Sequence, residues 1–498
     1  MASMSVPIAT AEAILVLSAA GTMPVLALVG RRWIAIPLAP LTGAVAAAGA
    51  ATVEVFLPGP FVLWFVLVAV AGAGAGIWWL SRARRPGAQA RDVNTDARLR
   101  WMGAAGALAI FVTCAIALRG LQTATVGFDA RALWLMRAGW LLQGHHQFLA
   151  DLRLRELSLP QTAYPPLVSS VTALAWSVTG MHTDRLGVTV VAVLNACALA
   201  AAALAVVQCG IGAAGRAGRR LSWMPAAAAL VAAPLLVVVG AGVTSPFLTN
   251  GYADPIWSLA AVGTVAWGLQ VQAGAPGAAV AALLVLVAGL SKDEGVVVGA
   301  ALAVLVAARA VIGSPAGQRL RRARAPVAAA TVELCVLAAW PVAMRVVRAR
   351  GTSMPSSSPA RFIARSHAVA VGFAPYLHVL VLAVPLAILG GLVLGSVRRQ
   401  ARLGNDAWAW AGLAAGLLAV GGAVVAGKAA VRPWLVTTVH RITEFPVLAA
   451  WWIVALWGVV GAAAVAAPVP TAATGAEGSD REALPAQGPL AEEPVTSG

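Results

Sequence analysis

Apolar stretches long enough to cross the hydrocarbon core of a membrane, each needing about 20 residues, recur from one end of this 498-residue chain to the other. Hydrocarbon offers no hydrogen bonds to loops or sheet edges, so the expected fold class is an all-α multi-pass membrane protein. About thirteen spans are expected, opening roughly at residues 7, 33, 59, 101, 186, 223, 253, 277, 294, 326, 372, 407 and 446. The run near 277 is short. With 60% hydrophobic residues, 11% charged residues and a mean hydropathy of +0.84, no soluble domain of this length could cover its apolar surface. The first run lacks a basic start and carries only Glu12, so it reads as a span and not a secretory signal.

Orientation follows from arginine, because basic residues collect in short cytoplasmic loops. Arg31 and Arg32, the group from Arg82 to Arg100, Arg216 to Arg220, Arg319 to Arg324 and Arg398 to Arg402 are the basic loops. They share one side only if YPPLVSSVTALAWSVTG, headed by Pro165 and Pro166, is a helix lying at the interface and not a span. That choice sends Asp129, the GYADP segment around Asp254, the SKDEG segment around Lys292 and the HRITE segment around His440 to the opposite, extracytoplasmic face. The formal charge of +16 and the pI near 11.4 then reflect topology and anionic headgroups, with no nucleic-acid partner implied.

Residues 1–100 are expected to form three N-terminal membrane helices and a basic cytoplasmic loop. Residues 101–467 form the core, with a first extracytoplasmic loop over 120–185. Residues 468–498 are rich in Pro, Gly, Ala and Glu and read as a disordered cytoplasmic tail. Cys114, Cys197, Cys209 and Cys335 stand singly in apolar runs without metal-ligand spacing. The AGAGAG run near residue 71 is read as small-residue helix packing, since no Lys-Ser/Thr follows it to make a phosphate loop.

Asp129, at the membrane edge in GFDARALW, is either a reactive carboxylate or a helix-end charge paired with Arg131 or Arg137. Asp151 and Glu156 lie among Arg153 and Arg155 and read as loop ion pairs. Asp254 suits a helix N-terminus by its charge alone, and has a possible ligand-binding reading beside that. Lys292, one of two lysines in the chain, stands with Asp293 and Glu294, and a cation at that depth suits a phosphate as well as a local ion pair. The loop over 348–371 carries Arg348, Arg350, Arg361 and Arg365 on the side that arginine normally avoids, which points to an anionic partner or to a solvated loop. Late in the chain Lys428, Arg432, His440, Arg441 and Glu444 form the last polar group. His440, His145 and His146 lack the carboxylates that a metal site would add, so no cofactor is called for and a divalent metal has no support.

The order of GFDARALW, the proline-headed helix closing in GMHTDRL, GYADP opening a later span, SKDEG between two spans and HRITEFP before the last span resembles the bacterial GT-C superfamily of polyprenyl-phosphate-sugar-dependent glycosyltransferases. The resemblance covers roughly residues 101 to 465 and leaves the three leading spans outside it. It implies a GT-C-like bundle with extracytoplasmic juxtamembrane helices, a polyprenyl-phosphate-linked sugar as donor, and a glycan, lipid or protein of the cell envelope as acceptor. It further implies that Asp129 is the base of an inverting transfer and that Lys292, Arg441, His440 and Arg361 contact the donor phosphate. Asp254, Tyr252, Arg131, Glu294 and Tyr164 are then acceptor or sugar contacts. Abundant Ala, Gly and Arg with few Lys fit a high-GC source such as an actinobacterium, where the family implies mannose or arabinofuranose on a decaprenyl carrier.

A second function class is a transporter or lipid-linked sugar flippase, which would hold ionisable groups near the bilayer centre. Glu12, Glu54 and Glu333 are the carboxylates within apolar stretches, and no internal repeat accompanies them. A noncatalytic scaffold would leave the polar residues gathered on one face unexplained.

Overall fold

A computed structural model describes residues 5–29, 33–83, 97–122, 126–154, 163–217, 222–270, 275–313, 317, 319–349, 363–367, 371, 406–426 and 440–466. Every regular element among them is helical. Eight helices are long and apolar enough to cross a membrane: α1 (Val6–Val29), α2 (Ala35–Phe56), α3 (Phe61–Ala83), α4 (Ala97–Leu118), α8 (Asp184–Ala217), α9 (Met224–Val243), α12 (Asp293–Ile312) and α13 (Arg319–Val346). The others are α5 (Met136–Leu142), α6 (His145–Arg153), α7 (Leu167–Thr179), α10 (Asp254–Thr264), α11 (Ala275–Ser291), α14 (Asp406–Ala426) and α15 (Glu444–Ala466).

Helices therefore open near each expected start except that near 372, which lies outside the described residues, as do Arg361, the basic residues from Arg398 to Arg402 and the tail. Among the described residues eight qualify as spans. The 17 residues of α11, at about 1.5 Å each, fall short of a hydrocarbon core of about 30 Å.

Large apolar side chains on the outside, among them Leu63, Val66, Leu67, Val70 and Ile77 on α3 and Leu108, Phe111 and Ile116 on α4, fit a solvent of lipid tails. Hydrophobicity cannot drive helix association there, so close backbone approach has to. Gly21 of α1 lies against the carbonyl of Ala39 and Gly43 of α2 against that of Leu17, leaving no room for a Cβ at either. Within the AGAGAG run Gly72 and Gly76 pack on Pro24 and Met23 of α1, whereas Gly74 faces open space. The first two helices are joined to the rest of the bundle: α1 also packs on α7, α8 and α11, and α2 on α7, α8, α11 and α13.

The interior is built on α8 and α10. All residues from Asp254 through the π-helical turn Val265–Gln270 that continues α10 are buried. Arg309 Nη1 of α12 donates to the Gly268 carbonyl at 2.6 Å, so a side chain occupies one acceptor of the widened turn, while Trp267 Nε1 reaches from the turn to the Ala201 carbonyl of α8 at 2.7 Å.

The YPPL helix differs from expectation. At 13 residues α7 is too short to cross, but it does not lie on a surface: Leu167 through Trp176 are all buried. Sequence distance hid the reason, because α1 and α2 cover the face that an isolated reading leaves to headgroups. Gly180, left-handed at φ +66°, ends α7.

Candidate functional site

Asp129 precedes a π-helical turn, Ala130–Leu135, that leads into α5. Tyr252 and Asp254 arrive on a loop that Gly251 turns at φ +74°, with the Tyr252 amide donating to Asn250 Oδ1 at 2.9 Å. Only glycine suits this turn: beyond the φ, a Cβ there would press on Val188 and Ala130. Lys292 is the extended residue between α11 and α12, so the break between two antiparallel helices delivers its ammonium. Arg441 reaches in from the turn before α15.

Asp129, Asp254, Lys292 and Arg441 form one continuous chain of ion pairs. Lys292 Nζ donates to Asp254 Oδ1 at 2.6 Å. Arg441 donates to Asp254 Oδ2 through Nε at 2.9 Å and Nη2 at 2.6 Å, and its Nη1 donates to Asp129 Oδ2. Glu294 extends the chain, with Oε1 3.6 Å from Lys292 Nζ. The guanidinium also lies 4.4 Å over the Tyr252 ring, a cation–π contact. Residues separated by up to 312 positions thus meet in one cluster.

Exposure is graded along it. The Asp254 side chain is 0% exposed, Lys292 4% and Arg441 10%, but Asp129 is 24% exposed. Asp129 is the open end of a sealed network. Burial opposes the charge on Lys292, yet the carboxylates of Asp254 and Glu294 outweigh it and raise the ammonium pKa. Burial likewise opposes the charge on Arg441, and Asp254 and Asp129 together hold the guanidinium more firmly protonated than usual. Beside them burial and the Arg441 charge lower the pKa of His440, while burial and the Asp129 carboxylate raise that of Tyr252.

Of the residues expected to act together, Asp129, Tyr252, Asp254, Lys292, Glu294 and Arg441 are in mutual contact. His440 flanks Arg441 in sequence, and its carbonyl accepts the Thr443 hydroxyl at 3.0 Å. Tyr164 stacks on Trp134 with centroids 5.4 Å apart; burial, then the charges of Glu294, Asp293 and Asp254, raise its pKa well above the ordinary value. Arg131 is elsewhere: it is exposed and pairs with Asp184 at 2.9 Å. Asp129 therefore pairs with neither Arg131 nor Arg137, because the π-helical turn carries Arg131 outward and α5 carries Arg137 into the core.

Asp151 accepts from Gln147 Nε2 at 2.9 Å and Arg153 Nε donates to the Val347 carbonyl at 2.8 Å, so these two do not pair with each other, and Arg155 lies outside the described residues. Glu156, Arg350, Lys428 and Arg432 lie outside the described residues. His145 is remote from the cluster, its Nδ1 being 2.5 Å from the Glu54 carbonyl oxygen.

Two buried groups had weaker signals. Glu444 accepts from Thr244 Oγ1 at 3.0 Å through Oε2, and its Oε1 has no partner among the described residues. Arg137 is 1% exposed, and its only sequence signal is a lone cation inside LWLMRAGW. Among the described residues no group of three His, Cys, Asp or Glu side chains is arranged to hold a metal ion. No protein-family model, no curated protein and no solved structure matches this chain.

Proposed function

We propose that this membrane protein is a GT-C-type glycosyltransferase that moves a sugar from a polyprenyl-phosphate donor to an extracytoplasmic cell-envelope acceptor with inversion. One observation carries the reading: Arg441 bridges Asp129 and Asp254 while Asp254 also holds Lys292, so a carboxylate open to solvent sits beside two cations suited to a phosphate. A lipid phosphate is a good leaving group that needs its departing charge stabilised, which Arg441 and Lys292 supply. The acceptor hydroxyl needs a base as it attacks the anomeric carbon, and Asp129 Oδ1 or Oδ2 takes that proton. Asp254 holds the two cations in place, with Tyr252 and Glu294 beside them and Tyr164 at the acceptor side; Arg361 and His440 complete the donor-phosphate contacts.

In this reading the chain crosses the cell membrane about thirteen times, with the cluster outside and mannose or arabinofuranose as the transferred sugar. The test is transfer of label by purified protein from a panel of lipid-phosphate sugars, with Asp129→Asn beside the wild type. Full activity in the variant removes the base, and a cytoplasmic signal from a reporter fused after residue 360 undoes the topology.

A transporter or flippase is the second reading. Glu54 of α2 favours it, being fully buried with both carboxyl oxygens unpartnered among the described residues. Substrate flux in vesicles without transfer from any donor would select it.

A further inference from the structure

Arg137 is the most anomalous buried group outside the ion-pair chain. It lies about two helical turns after Asp129, and its Nε and Nη1 are buried with no hydrogen-bond partner among the described residues. A desolvated guanidinium with unmade bonds is strongly unfavourable. Trp340 lies with its ring centroid 5.5 Å from Cζ, a cation–π contact that leaves those N–H groups without acceptors. Asp293 acts on Arg137 through its charge but is not in ion-pair contact with it.

A second orphan lies on the same helical face. Trp134, three positions earlier, has a buried indole N–H without an acceptor, and its ring carries Tyr164 stacked at 29°. Trp340 is fixed on the other side by its N–H donating to the Ala163 carbonyl at 2.8 Å. Arg137 and Trp134 are thus buried behind Tyr164 and Asp293, which are partly exposed.

Three unmet donors, one carboxylate in reserve and flat apolar rings specify a ligand. It must offer several oxygen acceptors, at least one hydroxyl donor and C–H faces for the rings. A second phosphate fails on the last two counts and is repelled by Asp293 and Glu294. A sugar ring meets all of them. We propose that Arg137, Trp134, Asp293, Tyr164 and Trp340 form a subsite that holds a glycosyl ring, with Arg137 as its chief specificity-determining residue. The inference rests on the reading of the neighbouring cluster as a glycosyl-transfer site and names the part of the substrate that lies beside it.

The test uses the full chain in lipid nanodiscs, with methyl α-mannopyranoside, methyl α-arabinofuranoside and inorganic phosphate as probes of thermal stability. At least one glycoside is expected to raise Tm saturably, with a Kd at least tenfold weaker in Arg137→Met. Without ligand that variant should melt no lower than wild type, since it removes donors that have no partner among the described residues; a structural arginine would give the reverse. Trp134→Phe, which deletes only the indole N–H, should weaken the glycoside several-fold and keeps the inference testable if Arg137→Met does not fold. Unchanged affinity in both variants, stabilisation by phosphate alone, or no saturable glycoside effect would each overturn the subsite.

Competition by lipid-phosphate sugars assigns the ring to the donor, and its absence assigns the ring to the acceptor. Glycoside binding through Arg137 without transfer from any donor sinks the transferase reading and leaves the subsite. Transfer with both KM values unchanged in Arg137→Met does the opposite.

Discussion

Asp129, the proposed base, is held by Nη1 of Arg441, the proposed phosphate contact. While the pair is closed, Nη1 of Arg441 is occupied by Asp129 Oδ2 and is not free for a phosphate. In the proposed reaction a donor phosphate competes with Asp129 for the Arg441 guanidinium, whose planar fork suits two phosphate oxygens, and its binding frees the carboxylate. Donor binding and activation of the base are then one event.

Asp129→Asn is therefore expected to lower transfer by about 10²–10⁴-fold, the usual span for a general base, while donor affinity is kept or improved because Arg441 loses a competitor. Parallel measurement of turnover and of lipid-phosphate-sugar binding checks this. Weaker donor binding together with a lower Tm would make the pair a structural contact only.

Asp254 answers for two buried cations at once. Removing its charge in Asp254→Asn leaves Lys292 and Arg441 in the interior without their shared partner, a loss of about 3–5 kcal/mol. Thermal or denaturant unfolding in detergent should show it as a clear drop in stability. Adding Lys292→Met to that variant is expected to recover part of the loss, since it removes one of the stranded charges; a further, additive drop would argue against the pairing.

Lys292 also predicts a pH dependence. Its pKa in the fold is raised above the unfolded value of about 10.4. A cation whose folded pKa is raised contributes stability that is fully present below the unfolded pKa and is lost as pH rises through the folded one. Tm should stay level on this account from neutral pH to about 10 and fall beyond it, with a shallower alkaline limb in Lys292→Met. A loss centred near neutrality would point to another group.

The helical class and most helix positions are legible from hydropathy, because lipid exposure and burial both select apolar residues and the runs survive as runs. What hydropathy cannot tell apart is which apolar face meets lipid and which meets protein, and α7 shows the consequence: its outer face belongs to α1 and α2. The polar residues worked the other way. Asp129, Asp254, Lys292 and Arg441 stand out because charge is rare in such a chain, yet only the fold shows that Arg441 and not Arg131 meets Asp129. Arg137 was legible as a charge and not as an orphan, since the partners a side chain lacks are a property of packing.

The α1–α2 contact offers a test of whether the leading helices support the site. Gly43 has no space for a Cβ against the Leu17 carbonyl, so Gly43→Val must push the two helices apart or strain both. Overpacking of this kind is unfavourable by about 1–3 kcal/mol. Because α1 and α2 also cover α7, and α7 packs on α5, the shift should reach Asp129 and Arg137 and lower transfer along with Tm. Gly74→Ala is the matched control: it faces open space, and alanine favours a helix over glycine by about 1 kcal/mol. Equal behaviour of the two variants would show that the first hairpin does not depend on close backbone approach. Destabilisation in Gly43→Val with transfer unchanged would show that the leading helices stabilise the bundle without positioning the site.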